Sequence, residues 1–173
     1  KVFTPVNTPD ILDGILKKVT IERGKFSNFT NSKLQGYELV ANMTGNFAFT
    51  DFTYNYDAVF ASIKILELLS KSKTSVSDLS SEIPEFFYRD EAIECPSDKK
   101  GKMMRKFMEE GKDRESSYID GIKFWVGEQD WVLMIPATSG EYVKLFVQAR
   151  DRARGEGIFN EYKTKIEEWK REE

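Results

Sequence analysis

Three apolar runs, residues 119–126, 131–135 and 142–147, follow one another with only a few residues between them. Connections that short leave no room for a crossover helix, so the runs read as consecutive strands. Gly127-Glu128-Gln129-Asp130 closes the first pair as a hairpin loop. Around them the spacing predicts a strand at 86–93 and a helix at 96–110, with Met103, Met104, Phe107 and Met108 on its apolar side. A charged helix at 149–170 carries Ile158, Phe159, Tyr162, Ile166 and Trp169, and Gly155 and Gly157 weaken its first turns.

The earlier part of the chain has a different rhythm. Strands are expected at 2–5, 19–22, 37–40 and 47–49, with a weak helix or loop over 27–34 and a tight connection at Gly45-Asn46. Thr8 as N-cap, Pro9 at the first helical position and Asp10 beside the positive end mark a helix start, and Ile11, Leu12, Ile15 and Leu16 form its apolar face. Asp57 opens a second helix, along which Val59, Phe60, Ile63, Leu66 and Leu69 follow helical spacing. The polar run 70–74 reads as a short linker, and 75–82 as a capped helical turn. The expected organisation is an α/β unit over 1–72 and an α+β unit over 73–173.

Composition removes several chemistries. The 173 residues include no histidine, which excludes Ser-His-Asp and Cys-His nucleophiles and histidine-bound zinc. A single cysteine, Cys95, excludes an internal disulfide and a cysteine-cage metal site; with no base beside it, it reads as a structural thiol. Any metal would need oxygen ligands. With 26 basic and 29 acidic residues the net charge is −3, so no electrostatic excess points to nucleic acid or to a membrane. The most apolar long stretch, 58–69, is too short and too charged to span a bilayer. The N-terminus carries no signal peptide and no initiating Met, and a cytoplasmic chain that begins partway through something larger is expected.

Two loops stand out. Ala41-Asn42-Met43-Thr44-Gly45-Asn46 gathers amides and a hydroxyl suited to sugar hydroxyls, although the same residues also make ordinary turns. Ile135-Pro136-Ala137-Thr138-Ser139-Gly140-Glu141 offers two hydroxyls and a glycine to a phosphate, but no Arg or Lys within the loop. The basic run 99–106 reads as a solvated helix face, and Asp51, Asp57, Asp90, Glu91 and Glu94 read as surface charge. Asn28-Phe29-Thr30 and Asn42-Met43-Thr44 match the glycosylation pattern, read as chance matches without a secretory signal.

Three stretches in order resemble the α-D-phosphohexomutases, the family of phosphomannomutase and phosphoglucomutase. Residues 41–49, followed by Tyr56-Asp57-Ala58-Val59, are similar to the sugar loop of the family's third domain, Gly-Glu-x-Ser-Gly-His before a strand and an Asp-Gly helix start. Cys95-Pro96 with Lys100-Gly101-Lys102-Met103-Met104-Arg105 resembles the Cys-Pro…Lys-Gly-x-x-Met-Arg opening of the fourth domain. Asp120-Gly121-Ile122-Lys123 through Trp131-Val132-Leu133-Met134-Ile135-Pro136 resembles the strand pair that leads into the phosphate loop, Arg-Pro-Ser-Gly/Asn-Thr-Glu-Pro. The resemblance implies part of a third domain followed by a complete fourth domain of the TATA-binding-protein-like α+β type. The N-terminal strand is closest to the mutase-like region appended to mannose-1-phosphate guanylyltransferases.

The departures bear on activity. Asn42, Thr44 and Asn46 stand where the family has Glu, Ser and His; Ile135 stands at its loop Arg, and Ala137, Thr138, Ser139 and Gly140 replace the residues that follow. Losing a charge-assisted phosphate contact costs about 1.5–3 kcal/mol. The phosphoserine loop and the Mg²⁺-binding loop belong to earlier domains. The resemblance therefore implies a segment that is non-catalytic by itself, needs no cofactor of its own, and has a structural or regulatory role within a mutase or nucleotidyltransferase that would use Mg²⁺. Sugar contacts are expected at Asn42, Thr44, Gly45 and Asn46, and phosphate contacts at Thr138, Ser139 and Gly140. The partners implied are a hexose phosphate and upstream domains of the same protein. The alternative is the sugar- and phosphate-binding part of an active mutase, with Lys144 or Lys123 supplying the missing charge.

Overall fold

Strand β1 (Val2–Pro5) lies at the centre of the first sheet of the computed structural model, which describes residues 1–25 and 34–172. It pairs in parallel with β2 (Ile21–Gly24) on one side and β3 (Leu39–Ala41) on the other; β4 (Phe47–Phe49) closes the sheet antiparallel to β3, giving the order β2-β1-β3-β4. Phe3, Val40 and Ala48 point to one face and form a small core with Leu34 and Tyr37. The chain divides into two units, Lys1–Pro84 and Glu85–Glu173, so the boundary falls after the capped turn α3 (Val76–Ser81) rather than before it.

Local chemistry explains where the first unit departs from expectation. Thr8 is not an N-cap: its N–H donates to Pro5 O at 3.0 Å in a turn, its buried hydroxyl has no hydrogen-bond partner among the described residues, and helix α1 (Ile11–Ile15) starts only after Asp10. The polar run after residue 69 is not a linker. Helix α2 (Ala58–Ser72) continues through it, because the Ser72 hydroxyl donates to Leu68 O at 2.7 Å and Lys71 pairs with Glu67 one turn back. Lys73 ends the helix in the left-handed conformation at φ 52°. Asp57 caps its start as expected, accepting from Phe60 N at 2.8 Å. The Asn28-Phe29-Thr30 pattern and, apart from Leu34, the expectation for 27–34 lie outside the described residues.

The second unit holds an antiparallel sheet in the order β5-β9-β8-β7-β6. Its strands are β5 (Phe87–Glu94), β6 (Ser116–Ser117), β7 (Ile122–Trp125), β8 (Trp131–Pro136) and β9 (Tyr142–Ala149). The three consecutive strands were readable in the sequence; the two-residue β6 was not. Helices α4 (Lys100–Glu110) and α5 (Arg152–Arg171) pack on one face. Alternate residues Val143, Leu145 and Val147 of β9 meet Met103 and Phe107 of α4 and Phe159 and Ile166 of α5 in one core. Each such fully buried side chain contributes about 1.5–3 kcal/mol. The sequence is mixed α/β throughout, and no helix among the described residues is long and apolar enough to cross a membrane.

Candidate functional site

The amide-rich segment forms the hairpin loop between β3 and β4. Asn42 N donates to Asn46 O and Gly45 N donates to Asn42 O, at 3.1 and 3.2 Å, and Gly45 takes φ +79°, the left-handed residue that a three-residue hairpin loop requires. Asn42 Oδ1 accepts from Thr44 N at 3.0 Å, Thr44 Oγ1 at 2.8 Å and Asn46 N at 3.1 Å, while Asn46 Nδ2 donates to Thr44 Oγ1 at 2.9 Å. The groups expected to address a sugar are thus brought together, but they largely satisfy one another. Thr44, Gly45 and Asn46 remain exposed at the tip. Behind them, burial pushes the Tyr56 phenol up to about 12, against the opposing effect of a hydrogen bond with the Asn42 side chain.

The second loop joins β8 to β9. Pro136 is the last paired residue of β8, opposite Val143, and Ala137 N donates to Tyr142 O at 3.1 Å. Thr138, Ser139 and Gly140 form the exposed tip. Gly140 has φ +87°, and a Cβ there would stand 2.9 Å from the Tyr142 ring, so the turn demands glycine.

The cation absent from the loop sequence arrives from elsewhere. Lys100, at the first turn of α4, donates through Nζ to Ala137 O at 2.8 Å and to Gly140 O at 2.6 Å. One ammonium ties both ends of the loop and brings a positive charge to the carbonyls that flank Thr138 and Ser139. Lys144 lies directly opposite Ile135 in the β8–β9 register, so a second cation stands beside the position where the resembled family has Arg. Lys123 serves differently: it is buried opposite Leu133, with its ammonium 4.8 and 4.0 Å from the Trp125 and Trp131 ring centres. In the sequence alone Lys100 reads as part of a solvated basic face. Only its place in the Lys-Gly-x-x-Met-Arg stretch hinted otherwise, since its loop partners are 37 and 40 residues away.

Cys95 is fully buried beside this loop, where its N–H donates to Glu141 O at 2.8 Å. Burial pushes its thiol up, with Lys100 opposing, so it is a packed thiol rather than a nucleophile. Among the described residues no three His, Cys, Asp or Glu side chains come together as a metal cage.

No protein-family model matches the chain. Curated relatives are phosphoglucosamine mutases of the α-D-phosphohexomutase family. That of Methanococcus maripaludis is 28% identical over 111 residues, covering 62% of this chain and 25% of the relative. That of Methanocaldococcus jannaschii is 26% identical over 163 residues, covering 87% and 35%. Among solved structures, a phosphoglucomutase/phosphomannomutase family protein from Burkholderia thailandensis superposes with TM-score 0.77 at 18% identity, over 98% of this chain and 38% of that one. A Thermus thermophilus protein described as a putative phosphomannomutase gives TM-score 0.67 at 14% identity, over 96% and 36%. The chain therefore spans about a quarter to a third of the curated relatives it matches, over a segment like their C-terminal part. Nothing in these likenesses supports a guanylyltransferase parent.

Proposed function

We propose that this chain is the sugar- and phosphate-holding segment of a phosphohexomutase-type protein, non-catalytic by itself. In this reading residues 85–173 act as a TATA-binding-protein-like fourth domain, residues 1–84 as the later part of a third domain, and any phosphoserine and Mg²⁺ belong to other parts of a cytoplasmic parent. The ligand class is a hexose phosphate, with an amino sugar suggested by the relatives' name, phosphoglucosamine mutase.

The observation that carries the reading is the Lys100 ammonium on the carbonyls of Ala137 and Gly140. It supplies charge to a loop that has hydroxyls and no cation of its own. A phosphate above Thr138 and Ser139 would meet two hydroxyl donors and a positive charge held in place by the backbone, with Lys144 nearby. Within the first unit, Asn42, Thr44 and Asn46 offer neutral contacts of the kind that suit sugar hydroxyls.

Calorimetric titration with glucosamine 1-phosphate, glucose 1-phosphate and inorganic phosphate tests this. Binding in the millimolar range is expected, weakened about tenfold or more by Lys100→Met, the loss of one charge-assisted contact. Ser139→Ala, which removes a hydroxyl from the exposed tip of the same loop, should weaken all three anions. Absence of binding by all three anions, or equal binding by Lys100→Met, would sink the proposal. The chain alone should show no mutase turnover.

A further inference from the structure

The donors at the two exposed loops differ in how far they are already used. Asn42, Thr44 and Asn46 bond to one another. At the β8–β9 end of the second unit, the side chains of Thr138, Ser139, Tyr142 and Lys144 have no hydrogen-bond or ion-pair partner among the described residues. Lys144 stands out among the four because it is half-buried. Every other half-buried lysine among the described residues is engaged, from Lys64 with Glu67 to Lys170 with Glu167. A cation drawn partly out of water is normally paired.

Strand register brings these groups together. Val143, Leu145 and Val147 of β9 point into the core with α4 and α5, so Tyr142 and Lys144 belong to the other face. There Lys144 stands between Ile135 of β8 and Ala92 of β5, two apolar neighbours that offer it no carboxylate. Asp90 and Glu94, two positions to either side on β5, form no ion pair with it. Tyr142 is the next residue on this face toward the loop, about 7 Å along the strand. Its ring lies beside Gly140 at the base of the loop tip.

We infer that Lys144 and Tyr142 are ligand-contacting residues: the Lys144 ammonium meets the phosphate of a phosphate monoester seated at Thr138 and Ser139, and the Tyr142 phenol donates to it. Lys100 has committed its ammonium to Ala137 O and Gly140 O, so it is the positioning residue that holds the loop in shape. Lys144 has all three of its donors left for a ligand. A neutral sugar would leave that ammonium without a counter-charge, so the anion is the part of the ligand that this end of the sheet recognises. The inference rests on the phosphate reading of the β8–β9 loop and adds to it the residues that grip the ligand.

Calorimetric titration of Lys144→Met, Lys144→Arg and Tyr142→Phe with inorganic phosphate and glucose 1-phosphate tests this. Lys144→Met should bind both about tenfold or more weakly, and Lys144→Arg, which keeps the charge, should stay within about threefold of the parent chain. Tyr142→Phe should weaken both by about threefold to tenfold. A second readout uses the parent chain itself. Acetylation of lysines by an N-hydroxysuccinimide ester, followed by mass spectrometry, should show inorganic phosphate slowing modification of Lys144 and leaving the exposed Lys17 unchanged. Phosphate that binds without protecting Lys144, or that binds Lys144→Met as well as the parent chain, overturns this inference alone. Absence of anion binding by the parent chain overturns both it and the loop reading. Weakening by Lys144→Met with none by Lys100→Met upholds this inference and sinks the role given to Lys100.

Discussion

Gly155 and Gly157 look alike in the sequence, two helix-weakening glycines in one turn, yet their surroundings differ. A Cβ on Gly155 would stand 2.0 Å from Phe87 Cδ1 and 2.7 Å from its Cβ, so α5 can approach β5 only because that residue has no side chain. Around Gly157 there is nothing within 4 Å. Gly155→Ala should therefore destabilise the protein by about 1–3 kcal/mol through overpacking. Gly157→Ala should stabilise it by about 0.5–1 kcal/mol through helix propensity. Urea midpoints with unchanged slopes would read both; equal effects of the two would refute the packing argument. The same contrast holds for the lysines. Lys100, Lys123 and Lys144 share a charge, but one holds a loop, one is buried against two tryptophan rings and one stands opposite Ile135.

Between elements, the edge strand β5 is joined to α5 by a charged cluster. Arg89 lies over the Phe159 ring, 4.0 Å from its centre, and its guanidinium pairs with Glu156 at 3.1 Å and Glu91 at 3.2 Å. Glu91 also accepts from Lys163, and this hydrogen bond, ahead of the neighbouring charges, holds its carboxyl below the usual carboxylate value. A depressed folded-state value means the contribution is present above the ordinary carboxylate pKa and is lost as pH falls through the lower folded value. Both side chains are about a third exposed, which keeps the effect modest. The stability difference between the parent chain and Glu91→Gln should be constant from about pH 8 to about pH 6 and shrink below about pH 4.5. A difference independent of pH down to acid unfolding would show that the carboxylate charge contributes nothing.

In the molecule as a whole, stability is unevenly shared. The first unit has a small core around Phe3, Leu34, Val40 and Ala48, whereas the second packs two helices on a five-stranded sheet. All three tryptophans, Trp125, Trp131 and Trp169, lie in the second unit, so fluorescence reports on that unit while far-ultraviolet circular dichroism reports on both. Denaturant should lower the dichroism before it shifts the fluorescence; coincident transitions would show that the units unfold as one. The consecutive strands, a tight connection at Gly45-Asn46 (observed as a loop closed by Asn42 and Asn46), the Asp57 cap and the position of the β8–β9 loop are legible because periodicity, turn chemistry and capping act within a few residues. Thr8 is not the N-cap because its N–H closes a turn on Pro5 O and the helix starts only after Asp10, and 70–74 is not a linker because the helix runs on to Ser72, whose hydroxyl turns back onto Leu68 O. By itself, then, the sequence determined most of the strands and helices, though not β6, and where the two exposed loops fall, since those depend on neighbouring residues. Only the tertiary structure decided that β5 pairs with β9, that Lys100 reaches a loop 37 residues away, and that α2 keeps an apolar side in water. Those outcomes depend on which distant surfaces meet, and burial is a property of the packed chain rather than of any residue in it.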